Sequence, residues 1–187
     1  MSNFGSLIEV EIPRLRRYAR ALTRDVVLAD DLVQSCLVRA LAKQHLWHPG
    51  TDMRAWLFTL LHNQHVNEIR RSVREGKHVS IDDAAPVLTV KANVIDVLEL
   101  RDLEKALGRL ATEQRQVILL SGMEGMSYED IALILGVPIG TVRSRLSRGR
   151  DHLRRLMGIY DESSGQLEPT NSQATPRLKP TLHWHSA

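Results

Sequence analysis

Apolar positions recur along this chain at steps of three and four, and the two-residue alternation of strands is nearly absent, so the pattern predicts an all-α protein. Val10 to Thr23 reads as one helix. Val26 to Gln44 reads as a second: Leu28, Leu32, Cys36 and Ala40 fall at steps of four, with Val33, Leu37 and Leu41 beside them, a broad apolar face. Asp30 and Asp31 fall in its first turn, where carboxylates favour the helix dipole. The Pro-Gly pair of HLWHPGTD (45–52) breaks the pattern. Asp52 then caps a third helix, Met53 to Val73, with Met53, Trp56, Leu57, Leu60 and Leu61 inward. Its second half, HNQHVNEIRRSVR (62–74), turns polar and basic.

No period is sustained from Glu75 to about Val94, a stretch holding Gly76, Asp82, Asp83 and Pro86, so it reads as a linker. Helices resume over Ile95 to Leu110, with Leu98, Leu103, Leu107 and Leu110 as the apolar set, and over Thr112 to Ser121, ended by Gly122. Beyond Met157 the chain is rich in Ser, Thr and Pro and poor in aliphatics, the composition of a disordered tail. The expected architecture is two small helical domains, 8–75 and 95–157, joined by a flexible linker (76–94) and followed by a disordered C-terminal tail (158–187).

The segment YEDIALILGVPIGTVRSRLSRGR (128–150) begins acidic, turns apolar, breaks at Gly-Val-Pro and ends in arginines. Ser127 followed by Asp130 resembles a capping box. Ile131, Ala132, Ile134 and Leu135 form the inner face of the helix it opens. Gly136 suits a tight turn, and Pro138 or Ile139 starts the next helix. Val142, Leu146, Leu153 and Leu156 hold that second helix to the core. Ala132, Gly136 and Val142 stand at the spacings of a helix-turn-helix: a small residue for close approach, a turn glycine, and a packing valine.

Charge gives this motif a partner. The chain carries a net +3, yet Pro138 to Met157 holds six arginines against one acid, Asp151. A cationic stripe on the second helix of a helix-turn-helix fits the DNA major groove. Thr141, Arg143, Ser144 and Arg145 lie near its N-terminus, the end that reaches base edges, where arginine bonds guanine bidentately. Arg148, Arg150, Arg154 and Arg155 suit phosphates.

Composition narrows the remaining classes. At 187 residues, 43% hydrophobic and 25% charged, the chain is ordinary for a soluble globular protein. No apolar run reaches the ~18–20 residues of a membrane helix, and the N-terminus lacks a signal pattern. Cys36 is the only cysteine, so an internal disulfide is excluded and a reducing compartment fits; its place in the apolar face makes it a small core residue. No phosphate-cradling glycine loop, metal cluster or nucleophile motif appears, which argues against an enzyme. His183 and His185 around Trp184 are too few for a closed zinc site.

The combination ADDLVQSCLVRAL (29–41), PGTDMRAWLFTLLHNQHVNEIRR (49–71) and SYEDIALILGVPIGTVRSRLSRGRDHLRRL (127–156) resembles the extracytoplasmic-function (ECF) subfamily of bacterial RNA polymerase sigma factors. The resemblance covers about residues 8 to 157, with the motifs in order. It implies an initiation subunit without cofactor or metal, cytoplasmic, that binds core polymerase through the β′ clamp helices and the β flap. The −10 and −35 elements of promoter DNA and an anti-sigma factor are its other implied partners. In the family the DLVQ-type helix docks on the clamp helices, which carries over to Asp31, Leu32, Val33 and Gln34, with Arg39 nearby. The −10 reader corresponds to Trp47, Asn63, Gln64, Asn67, Arg70 and Arg71: polar side chains for base edges, and arginines, with Arg74, for the single-strand backbone. Trp47 is the loop's available aromatic, for a base or for core packing; Trp56 is assigned to the core. The −35 reader corresponds to Thr141, Arg143, Ser144, Arg145, Arg148 and Arg150. His62 and His65 depart from many relatives and carry no assigned role.

A linker of ~20 residues spans roughly 25 Å as a free coil. Promoter elements one and a half helical turns apart lie ~50 Å from each other, so the linker must be stretched toward its ~66–72 Å limit. Two other readings remain at this stage. A conventional helix-turn-helix regulator would not need the DLVQ surface. A sigma-like decoy that sequesters an anti-sigma factor would not need the arginine-rich helix.

Overall fold

The structure, a computed structural model, describes residues 3–76 and 94–159, with side chains from Phe4 and, in the second block, from Leu100. Most of the linker, with Asp82 and Asp83, and the tail from Tyr160, with its two histidines, lie outside the described residues. Seven α-helices are described: α1 (Asn3–Thr23), α2 (Val26–Ala42), α3 (Met53–Arg74), α4 (Val94–Arg109), α5 (Thr112–Ile118), α6 (Tyr128–Leu135) and α7 (Ile139–Leu156). A 3₁₀ turn (Gln44–Leu46) follows α2, and a π-helical segment (Leu119–Met123) extends α5.

The first bundle is α1–α3. Helix α1 begins at Asn3, seven residues before the expected start, and runs through Pro13. Proline inside a helix removes one backbone bond. The extra turns hold because Phe4 and Ile8 are buried, with the Phe4 ring 5.5 Å from Trp47 and 6.1 Å from Trp56. Leu15, Tyr18, Ala19 and Leu22 continue the buried stripe, and the Tyr18 and Phe58 rings meet at 5.2 Å. Helix α2 is capped by Asp25, whose side chain accepts from the Leu28 amide at 2.9 Å. Asp30 and Asp31 therefore lie past the first turn. Asp30 instead faces Arg16 (3.7 Å) and Arg20 (3.5 Å) of α1. Asp52 caps α3 as expected, accepting from the amides of Arg54 and Ala55. Cys36 is buried, its thiol pushed up to about 12 chiefly by burial.

The second bundle is α4–α7. The helix expected to stop at Gly122 passes through it as the π segment and turns at Gly125, where φ is +63°. Gly149 lies where α7 crosses α5. A Cβ there would stand 2.8 Å from Ile118 Cδ1, so the glycine permits the close approach. The two bundles are not apart: α3 packs on α6, α1 packs on α5 and the π segment, and one apolar cluster runs from Phe4 to Leu146.

Candidate nucleic-acid interface

The α6–α7 turn is built by local chemistry. Ser127 accepts from the Asp130 amide at 3.1 Å and donates to its carboxylate at 2.6 Å. Gly136 closes α6 in the left-handed region (φ +64°, ψ +33°), which a side chain would strain. Pro138 takes the cap position just outside α7, its carbonyl accepting from the amides of Thr141 and Val142. Ile131, Ile134, Leu135, Val142 and Leu146 are buried around the turn, and Leu153 and Leu156 pack at the edge of the core. The spacing read from sequence thus produces a helix-turn-helix.

Along α7, steps of three and four divide the candidate −35 residues between two flanks. Arg143, Ser147, Arg150 and Arg154 share one, where a shallow cleft also takes in Tyr128 of α6. Thr141, Arg145 and Arg148 share the other. Arg143, Arg148 and Arg150 are exposed and enter no ion pair with described residues, whereas Arg154 pairs with Asp151 at 3.1 Å. Thr141, Ser144 and Arg145 are half-buried, and the Ser144 hydroxyl donates to the Thr141 carbonyl at 3.0 Å.

On α3, Asn63, Asn67, Arg70 and Arg74 form an exposed stripe. Beside it the polar groups are tied to neighbours: Gln64 donates to Glu68 at 3.1 Å, Arg71 to Glu75 at 2.6 Å, and Arg74 to the Arg70 carbonyl. Trp47 is half-buried against Phe4, the core-anchor alternative. His62 and His65 are buried on the opposite side of α3. Burial, then the charge of Arg145, lowers the pKa of His62. Burial, His62 and Arg115 hold His65 down at about 4.

The candidate polymerase face on α2 needs correction. Leu32 is fully buried and Val33 nearly so, because both point into the core beneath α1 and α3. They cannot meet a partner directly. Leu28 and Leu41, assigned to the apolar core face, are exposed instead. Val27, Asp31, Gln34, Val38 and Leu41, spaced four-three-four-three, make the outward stripe, with Arg39 beside it. The mix of apolar side chains, one acid and one amide suits a protein surface.

The sequence reading missed the residues that join the bundles. Glu124, directly after the π segment, has a side chain only 1% exposed. Its Oε1 accepts from Arg17 of α1 at 2.9 Å and its Oε2 from Arg54 of α3 at 3.1 Å, and Arg54 also donates to the Glu124 carbonyl. Buried Arg115 of α5 donates to the Leu22 carbonyl at the end of α1. An acid between Met123 and Gly125 carried no local signal for this. No group of side chains among the described residues has the makings of a metal site, and no described helix is long and apolar enough to cross a membrane.

Comparisons with known proteins match two family models along the chain. Residues 8–62 match the family model described as the Sigma2 domain of PhyR, and residues 100–153 match Sigma-70, region 4. The chain is 38% identical over 150 residues to the ECF RNA polymerase sigma factor EcfG of Rhodopseudomonas palustris, covering 79% of this chain and 81% of that one. It is 29% identical over 155 residues to the RNA polymerase sigma factor CarQ of Myxococcus xanthus, covering 83% and 89%. Its backbone is similar to that of the sigma factor RpoE of Bartonella quintana, solved with the anti-sigma factor NepR. The TM-score is 0.75 at 37% identity, over 85% of this chain and 99% of that one.

Proposed function

The chain belongs to the ECF subfamily of RNA polymerase sigma factors, a family of initiation subunits and not of enzymes, and from that premise we propose how its surfaces divide the work. It directs core polymerase to a class of promoters. The α7 arginines read the −35 duplex, and α3 captures the unstacked −10 strand. The carrying observation is that one chain holds both an arginine-lined helix-turn-helix and a separate polar stripe on α3.

Arg143 and Arg145 lie on opposite flanks near the N-terminus of α7, the end that enters the groove in this motif. Arg148 and Arg150 continue the flanks and suit the phosphates on either side. Asn63 and Asn67, exposed on successive turns, offer amide edges to bases, and Arg70 and Arg71 follow toward the strand backbone. Gln64 reaches a base only by releasing Glu68. Trp47 supports the loop against Phe4.

Asp31, Gln34 and Arg39 form the polar part of the polymerase-docking stripe, flanked by Val27, Val38 and Leu41. Leu32 and Val33 act by holding α2 in place. The β′ clamp helices fit this stripe, and the β flap is assigned to the second bundle. An anti-sigma factor competes for these faces, as the complex of the Bartonella relative suggests. A subunit that acts with core polymerase would share its compartment, the cytoplasm.

The test is run-off transcription by purified protein and core polymerase on a candidate promoter. Asp31→Ala with Gln34→Ala is expected to abolish promoter-specific transcripts while binding to isolated −35 duplex survives. Transcripts undiminished in the variant would remove α2 from the docking role. DNA binding without any transcripts, on promoters verified as targets, would favour a conventional regulator.

A further inference from the structure

One flank of α7 carries more positive charge than its neighbours offset. Arg143, Arg150 and Arg154 line a shallow cleft with Ser147 and with Tyr128 of α6, and Asp151 is the one carboxylate in it. Asp151 is taken by Arg154 at 3.1 Å. Arg143 and Arg150 are exposed and enter no ion pair with described residues.

The end of α7 directs the chain toward this flank. Gly158 adopts φ +68°, in the left-handed region. Its amide donates to the Arg155 carbonyl at 3.2 Å, and the Ile159 amide reaches back to the Arg154 carbonyl at 2.9 Å. This pair of bonds is the cap that folds an exiting chain against the last helical turn. Ile159 is thereby fastened beneath Arg154, the nearest arginine of the cationic flank.

The sequence that follows has its acids in a matching order. Of the 28 residues after Ile159, the three acids, Asp161, Glu162 and Glu168, fall within the first nine, and the two bases, Arg177 and Lys179, come later. Arg150 and Arg143 lie about 6 and 17 Å up the helix axis from Arg154. Asp161 and Glu162, two and three residues past Ile159, reach up to ~10 Å, and Glu168, nine past, up to ~30 Å. The near acids can meet Arg154 and Arg150, and the far one Arg143. A tether this short holds the carboxylates beside the flank at roughly millimolar effective concentration.

We propose that the tail segment Asp161 to Glu168 docks along the Arg143–Arg150–Arg154 flank of α7, its carboxylates standing where DNA phosphates stand in the −35 complex. The contact is a property of the free chain; its consequence, competition with the duplex, rests on the −35 reading. The other flank, with Thr141, Arg145 and Arg148, stays clear of it. Three exposed ion pairs, each of small net stability, together reduce duplex affinity by about tenfold, and by less as salt screens them.

The test uses the full chain with a nitroxide at Ser164, changed to cysteine; Cys36 is buried and stays unlabelled. Paramagnetic broadening of the arginine Nε–H resonances is expected at Arg143, Arg150 and Arg154 and not at Arg145 or Arg148. Asp161→Asn, Glu162→Gln and Glu168→Gln together are expected to remove the broadening. In the unlabelled chain the same triple variant is expected to tighten binding to a fluorescent duplex carrying the −35 element of a verified target promoter by about tenfold at low salt. Broadening that is absent, equal on both flanks or unchanged in the triple variant would overturn the docking, and unchanged duplex affinity would overturn the competition. Flank-specific broadening without duplex binding by either chain would leave the docking standing and count against the −35 reading.

Discussion

Helices α3 and α7 carry the two polar, cation-rich stripes of the molecule, and they hold their charge differently. On α7, Arg143, Arg148 and Arg150 are exposed and outside any ion pair with described residues. On α3, Arg71 is already bound to Glu75, and Gln64 to Glu68. A duplex offers dense phosphate charge, and cations left free gain the most by releasing its counterions. A single strand is gripped by stacking and base-edge contacts as well, so partly neutralised arginines suffice. Under the proposed division of work, the comparison fits α7 to electrostatic grip and α3 to contact made after the strand is exposed.

The largest break in that comparison is charge reversal on α7. Arg143→Glu with Arg145→Glu is expected to weaken −35 duplex binding by roughly 10²–10⁴, since each base-reading arginine contributes about 1–3 kcal/mol. Core polymerase binding should be unchanged. Fluorescence anisotropy and polymerase co-purification read the two arms, and equal loss of both would mean that the helix serves folding instead.

A smaller effect comes from the buried side of α3. His65 holds a proton only near pH 4 in the folded chain, against about 6.5 when unfolded. Between those values the unfolded chain binds more protons, so stability is full above about pH 6.5 and falls as pH drops toward 4. From pH 7 to pH 5 the loss is roughly 2 kcal/mol. His62 and Arg115 are the charged groups acting on His65, with Arg145 acting on His62. Urea midpoints across this range check the slope, and His65→Leu should flatten it.

The smallest effect sharpens the contrast in charge. Arg148→Ala is expected to reduce the salt slope of −35 binding by about 0.9. Arg71→Ala should change the slope of −10 single-strand binding by less than about 0.7, because Glu75 already neutralises it. Equal changes would show that the Arg71–Glu75 pair opens freely in solution, as exposed pairs of small net stability do.

What could be read in advance was local. Asp52 announced its helix by standing just before an apolar period. Ser127, Gly136 and Pro138 marked a turn because a cap, a positive φ and a fixed φ are each demanded by backbone within a few residues. Arg143, Arg148 and Arg150 were legible because an outward cationic flank needs only helical spacing. Harder cases began where two local answers competed. The turns of α1 before Val10 carried too few apolar positions to announce themselves, and the Phe4–Trp47–Trp56 cluster supports them. Asp25 caps α2, and Asp30, expected in its first turn, went to Arg16 and Arg20 of the neighbouring helix.

The sequence by itself determined the helices, the turn between α6 and α7, and the chemistry of their outer faces, since hydrogen bonds and side-chain period act over one to four residues. Only the tertiary structure decided which part of α2's wide apolar surface went inside, burying Leu32 and Val33 and leaving Leu28 and Leu41 in solvent. It alone brought Glu124 to Arg54 and Arg17, 70 and 107 residues away. A buried carboxylate must find its cations wherever folding places them, and that requirement leaves no spacing in the chain.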